Sequence, residues 1–324
     1  MSRGRRVLLL TDPAMDRHVT PGHPERPDRR SAAADGVRDG AVRAGAGLDE
    51  PEVAPVDDAA ITTVHPAAYL AMLGEAESRG GGWLDSDTYL VGGSMHAARL
   101  AVGATVAAAN AVTEARASIA FAVVRPPGHH AAAARGTGFC LLNNVAIAVG
   151  ALRSAGLARR VAIVDWDVHH GDGTQAIFDA DADLCYASTH QSPLYPGTGA
   201  ASERGEGAAE GTKHNRPLPP GSGDTELLAA WRDDLLPAIA AFEPQAILVS
   251  AGYDAHRDDP LAELTVTADG YRQLGRAVGA LASDAGLPGV ALTLEGGYDL
   301  DALRASVAAS VEGVLAGLAA DPAG

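Results

Sequence analysis

The chain has 324 residues, with 25 Lys and Arg against 41 Asp and Glu, a formal charge of −16 at pH 7. That charge repels polyanions, which excludes a general binder of nucleic acid or anionic membranes but not of a cationic substrate. With 47% hydrophobic and 20% charged residues the composition is that of a globular chain, and its two cysteines, Cys140 and Cys185, can build neither a disulfide framework nor a four-thiolate metal site.

In chain order, the short apolar run before Asp12-Pro13 predicts a first strand. Ala-rich stretches at 97–118 and 302–320 predict packed helices. The Gly-, Pro- and Ser-rich segment Gly197–Gly223 predicts a long loop. Four continuous apolar runs, Ala120–Val124, Val161–Val164, Ala246–Val249 and Val290–Leu294, read as strands buried on both faces of a parallel sheet. Helical stretches lie between them, and that alternation implies an α/β fold, a mainly parallel central sheet with helices on both faces. No apolar run reaches the roughly 18 residues of a membrane span. Reduced thiols point to the cytoplasm.

Titratable residues follow each of the four runs. They are Arg125–His130 with the pair His129-His130, Asp165–Gly173, Ser250–Asp254 and Glu295–Tyr298. In open α/β sheets, ligands bind at the carboxyl ends of the strands. Asp167 and His169 are two apart, so an extended segment presents both on one side. Asp254 can supply a third leg, and three protein ligands with an open position is the catalytic pattern for a metal. Alone, Asp-x-His also suits a helix cap. Nitrogen and oxygen donors suit Zn²⁺, and Fe²⁺, Co²⁺ and Mn²⁺ stay open. The histidine pair offers a general base for water and an acid for a leaving amine. Asp165 and Asp172 can each orient one imidazole, and a single histidine can equally be a buried hydrogen-bonder. Tyr298, after two glycines, can polarise a carbonyl or simply pack under a loop. No dinucleotide, phosphate-loop or serine-elbow motif occurs.

As a set, Arg125–Ala131, Asp165–Gly173 and Leu294–Tyr298 resemble the zinc-dependent histone deacetylase family, with its bacterial histone-deacetylase-like and acetylpolyamine amidohydrolases. His23–Pro27, Gly138–Cys140, Tyr195–Gly199 and Ala251–His256 fit the same pattern, in family order. The resemblance is to the class II branch and its bacterial relatives. It implies a single arginase-like α/β domain over residues 1–324. It implies zinc on Asp167, His169 and Asp254. It makes His130, oriented by Asp172, the general base and acid, and His129, paired with Asp165, the supporting histidine. It makes Tyr298 the carbonyl-polarising phenol. Gly138, Phe139 and Tyr195 would line a narrow channel for a lysine-like chain. Arg29 matches an internal exit pocket, and Asp87 a looser match to a rim aspartate.

The resemblance further implies structural potassium. One site would use Asp165, Asp167, His169, Ser188 and Thr189. A second would use the carbonyls of Phe178, Asp181 and Leu184. In polyamine-selective relatives an acidic gatekeeper follows an Asp-Pro step, where this chain has Leu261. Three readings follow: a deacylase of acylated lysine in proteins or small-molecule amides, an acetylpolyamine amidohydrolase, and a non-catalytic acyl-lysine binding module. The third predicts a damaged site, and every ligand, both histidines and the tyrosine are present. An arginase-type ureohydrolase would need a two-metal set. A homo-oligomer is left open.

Overall fold

The computed structural model describes residues 5–319. The ends of the 1–324 domain expectation, and residue 320 of the last helical stretch, lie outside the described residues. In chain order the chain forms β1 (Arg6–Leu10), α1 (Pro27–Arg43), β2 (Gly47–Asp49), α2 (Asp58–Ile61), α3 (Ala67–Ser78), β3 (Gly82–Trp83), β4 (Tyr89–Leu90) and α4 (Ser94–Thr113). It continues with β5 (Ile119–Ala122), α5 (Asn144–Ser154), β6 (Val161–Asp165), α6 (Asp172–Phe178), β7 (Leu184–Gln191) and β8 (Lys213–Leu218). The last elements are α7 (Asp224–Ala230), α8 (Leu236–Phe242), β9 (Ala246–Ala251), α9 (Ala268–Asp284), β10 (Val290–Leu294) and α10 (Leu300–Leu318).

Eight strands form one sheet in the order β2-β1-β5-β10-β9-β6-β7-β8, and every pairing in it is parallel. A separate antiparallel pair joins β3 and β4. The four apolar runs of the sequence are the neighbours β5, β10, β9 and β6. Their side chains alternate between two cores. Phe121, Val164, Val249 and Leu292 face a layer with Val37 of α1, Leu274 of α9 and Val307 of α10. Ala120, Ile163, Leu248 and Ala291 face Ala101 and Ala108 of α4 and Val149 of α5. Both faces are dry, so both alternating sets are apolar, and the strands read as unbroken hydrophobic runs.

The edge differs from the sequence expectation. The predicted loop Gly197–Gly223 contains β8, which pairs with β7. Its sequence, KHNRPL, has no apolar run, and Pro217 is tolerated because the strand lies at the edge. The second half of β7 is polar yet fully buried. Three of its side chains are satisfied locally: Ser188 Oγ meets His190 Nδ1 at 2.9 Å, and Trp231 Nε1 donates to Thr189 Oγ1 at 3.0 Å. A buried strand of this kind carries no hydrophobic signal.

Candidate active site

Because β5, β10, β9 and β6 are adjacent and parallel, their carboxyl ends open on one side of the sheet. The four polar motifs therefore converge. Asp165 is the last residue of β6, and Asp167 and His169 follow it. Asp254 follows β9, Glu295–Tyr298 follow β10, and the histidine pair lies in the loop after β5. Asp172 opens α6, and Asp299 caps α10 by accepting from Ala302 N at 2.8 Å.

Donor atoms of Asp167, His169 and Asp254 all lie within 4.8 Å of one another. His169 Nδ1 is 3.1 Å from Asp167 Oδ1 and 3.2 Å from Asp254 Oδ2. Asp167 Oδ2 accepts from Gly296 N at 2.8 Å, and Asp254 Oδ1 from Val168 N at 2.9 Å. Asp254 Oδ2 is buried and, apart from the approach of His169 Nδ1, which is not aligned as a hydrogen bond, meets no donor among the described residues. Room for the carboxylates depends on two glycines: a Cβ on Gly252 would stand 2.0 Å from Asp167 Oδ2, and one on Gly296 2.0 Å from Asp254 Oδ2. Burial opposes charge on Asp167, but His129 and His169 hold it well below the usual carboxylate range. Burial and the charge of Asp167 push Asp254 up. Burial disfavours the His169 imidazolium, yet the two carboxylates raise it to about 10. This is a buried, carboxylate-rich donor set with an unanswered oxygen, and it fits a divalent cation.

The two histidines are set apart by their partners. His129 Nδ1 lies 3.1 Å from Asp165 Oδ2, which also accepts from the Tyr186 hydroxyl at 3.0 Å. His130 Nδ1 lies 2.8 Å from Asp172 Oδ1. Burial works against the His129 cation, but the charges of Asp167, Asp165 and Glu295 raise it well above its ordinary value. Burial and the neighbouring His129 press His130 down to about 3, although Asp172 pulls the other way. Adjacent histidines thus have opposite preferences for the proton, set by the different charges around each ring.

A cavity of about 240 Å³ opens over these groups, lined by Asp87, Pro127, His129, His130, Gly138, Phe139, Asp167, His169, Leu194, Tyr195, Leu261, Gly296 and Tyr298. It holds every expected channel residue, and Asp254 sits behind Asp167 and His169. Gly138 has φ +55°, and a Cβ there would stand 2.4 Å from His130 Cδ2. Phe139 and Tyr298 meet edge to face at 5.9 Å. Burial holds the Tyr298 phenol well above its ordinary value, so it stays protonated and able to donate. Arg29 lies beneath this loop, its guanidinium 4.6 Å from the Tyr298 ring centroid, donating to the carbonyls of Gly297 and Glu295 at 2.5 Å each.

Residues 23–314 match the family model described as the histone deacetylase domain. The chain belongs to the histone deacetylase family. A probable deacetylase of Archaeoglobus fulgidus is 41% identical over 296 residues, covering 91% of this chain and 81% of the relative. The crystal structure of the HDA15 HD domain superposes with a TM-score of 0.87 at 36% identity, covering 96% of this chain and 88% of that one. An acetylpolyamine aminohydrolase from Burkholderia pseudomallei superposes with a TM-score of 0.85 at 30% identity, covering 96% and 98%. This histone deacetylase family chain therefore has the fold of a deacetylase and amidohydrolase family, whose chemistry is amide hydrolysis.

The second potassium site was expected on the carbonyls of Phe178, Asp181 and Leu184. Two of these carbonyls hold a cation of the chain's own: the buried Nζ of Lys213 donates to Leu184 O at 3.0 Å, Asp181 O at 3.2 Å and Thr212 Oγ1 at 2.6 Å. An ammonium there competes with a potassium ion for the same oxygens. Three buried carboxylates also went unassigned in the sequence. Glu295 accepts from Gly128 N at 2.7 Å and His129 N at 3.2 Å, holding the histidine loop. Glu25 pairs with Arg125 and Arg29. Asp259 accepts from Tyr298 N at 2.6 Å. Glu25 and Glu295 stood inside recognised motifs, which was their only signal.

Proposed function

We propose that this protein is a zinc-dependent deacylase that removes acetyl or other acyl groups from lysine-type side-chain amides. One observation carries the reading: Asp167, His169 and Asp254 converge, with one carboxylate oxygen unanswered, beside two oppositely tuned histidines and a buried phenol in one narrow cavity. Asp167, His169 and Asp254 would hold the metal, with Fe²⁺ or Co²⁺ as substitutes. Bound there, it supplies a Lewis acid for the amide carbonyl and lowers the pKa of water.

The chain's own groups do the rest. His130 is neutral at pH 7, and Asp172 occupies its Nδ1, so its Nε2 takes the proton of the attacking water. The same nitrogen then delivers the proton to the leaving amine. His129, tied to Asp165, adds positive charge next to His130 as negative charge builds on the substrate. Tyr298 donates its hydroxyl hydrogen bond to the developing oxyanion. Gly138, Phe139 and Tyr195 enclose the alkyl chain and keep water from its sides. Acetate and a free amine leave.

The same reading takes residues 1–324 as one catalytic domain. It keeps structural potassium near Asp165, Asp167, His169, Ser188 and Thr189, where Asp165 and Ser188 are register partners. Buried, unbridged Cys140 and Cys185 suit a cytoplasmic setting. Likeness to the acetylpolyamine aminohydrolase supports a second reading, a polyamine substrate. Leu261 on the cavity wall favours the first, because an apolar side chain offers nothing to a distal ammonium. The deciding experiment compares kcat/KM for acetyl-lysine peptides, longer acyl-lysines, acetylputrescine and acetylspermidine at physiological salt. Acyl-lysines should lead. A tenfold lead for acetylpolyamines overturns the lysine assignment, and no hydrolysis of any substrate by metal-loaded protein overturns the enzyme.

A further inference from the structure

Asp259 lies outside the proposed catalytic set, on the turn after Asp254, and is buried at 7% exposure. Its two carboxylate oxygens face different ways. Oδ2 accepts from the backbone N–H of Tyr298 at 2.6 Å and, more distantly, from Asp299 N at 3.4 Å. Oδ1 accepts from the backbone N–H of Leu261 at 3.0 Å. Its own N–H donates to His256 O at 2.9 Å, which closes the turn on which it sits. One side chain therefore joins the main chain of the phenol residue to that of a residue on the cavity wall.

The bond to Tyr298 is needed because the segment before it is not self-supporting. Gly297 has φ +115°, a conformation that L side chains rarely adopt, so the backbone there has little steric guidance of its own. Arg29 holds the Gly297 carbonyl from beneath, and α10 begins only at Leu300. The N–H of Tyr298 is the last anchor before the phenol, and a buried N–H left without its acceptor is costly, so the Asp259 oxygen fixes the main chain there.

We propose that Asp259 is a positioning residue for Tyr298, fixing the phenol over the cavity and coupling it through Leu261 to the channel wall. This rests on the reading of Tyr298 as the oxyanion donor. Asp259 touches no substrate and acts only through that loop.

A double-mutant cycle tests it, with Asp259→Ala, Tyr298→Phe and the double variant loaded with Zn²⁺ and assayed on one acetyl-lysine substrate. Asp259→Ala should lower kcat by between about tenfold and a hundredfold, the effect of misplacing a catalytic group by about 1 Å. KM should move by less than about threefold, and metal content should stay at the wild-type value. In the Tyr298→Phe background, removing Asp259 should cost almost nothing further, because the group it positions is already gone. A double variant that loses the full Asp259→Ala factor again overturns the proposal, as does Asp259→Ala at the wild-type rate. If Asp259→Ala does not fold, Asp259→Asn, nearly isosteric but with one acceptor oxygen where both of the carboxyl's are in use, carries the same cycle. Tyr298→Phe at the wild-type rate would remove the assignment of the phenol and this proposal together. An impaired Tyr298→Phe with an additive double variant removes only this proposal.

Discussion

Glu25 is the group whose loss should be felt most, although it lies outside the cavity. It is fully buried between two fully buried arginines. Arg125 Nε donates to Oε1 at 2.5 Å and Nη2 to Oε2 at 2.6 Å, while Arg29 Nη1 donates to Oε1 at 3.1 Å. Burial pushes the carboxyl up, but Arg125, by charge and hydrogen bond, and then Arg29 bring it down from 4.5 to about 2. At about 1.4 kcal/mol per tenfold, that difference corresponds to about 3 kcal/mol of stability. The folded value lies below the unfolded one, so the contribution is complete above about pH 4.5 and fades as the pH falls toward 2. Roughly 2 kcal/mol of it should be gone by pH 3.

Glu25→Gln keeps the shape and removes the charge, leaving two guanidiniums without their counterion. Removing one partner of a buried pair costs about 3–5 kcal/mol. Denaturant unfolding at pH 7 should show that loss, and thermal unfolding a fall of roughly 6–10 °C. Deacylation should weaken as well, since Arg29 holds the carbonyls of Gly297 and Glu295 beside Tyr298. The difference between the two proteins should narrow between pH 4.5 and pH 3, because the wild-type carboxyl then takes up a proton in the unfolded state while the folded one stays ionised. A variant within about 1 kcal/mol of wild type at pH 7 refutes the reasoning, and so does a gap that stays constant down to pH 3.

Stripping the protein with a strong chelator should abolish hydrolysis, and Zn²⁺ or Co²⁺ should restore it. Elemental analysis should find one divalent ion per chain, and Asp254→Ala should weaken its retention, unless full activity survives in metal-free protein. Tyr298→Phe should lower kcat by about 10²–10³ with little change in substrate binding; a variant within a few-fold of wild type makes the tyrosine structural. Lys213→Ala should destabilise the fold by about 1–3 kcal/mol, because the carbonyls of Asp181 and Leu184 lose their donor. KCl should raise its melting temperature more than N-methylglucamine chloride does, beyond any such gap in wild type, and an equal response in both salts counts against Lys213 as an internal cation. Leu261→Glu should shift kcat/KM toward acetylspermidine; an unchanged ratio shows that this position does not govern the choice.

What the sequence reveals depends on how each residue is buried. Strands β5, β6, β9 and β10 announce themselves because each is sealed on both faces by apolar layers. The residues after them stand out for the opposite reason, as charged groups directly beyond apolar runs. Strand β7 is equally buried, but Ser188, Thr189 and His190 meet one another and their neighbours by hydrogen bonds, so its composition looks like that of a loop. Lys213 is hidden in the same way. A lysine in a polar segment suggests solvent exposure, and only the fold brings the carbonyls of Asp181 and Leu184 to its ammonium. Glu25 answers the guanidinium of Arg125 and Asp259 the N–H of Tyr298, donors far away in sequence, a property that spacing does not encode.

The histidine pair shows the limit most sharply. His129 and His130 are neighbours in the chain, and nothing in their order says which should carry the proton. The distinction comes from where the chain turns each ring. Asp165, on the buried end of β6, receives His129 in the midst of two further carboxylates, those of Asp167 and Glu295. Asp172, at the start of α6, receives His130 at the edge of that group, beside the cation of Arg135 at 3.4 Å. Negative charge is therefore densest around one imidazole and thinnest around the other. A cation at Asp167, His169 and Asp254 would answer the same excess of negative charge. The crowding of carboxylates that favours a metal also divides the labour between the two histidines.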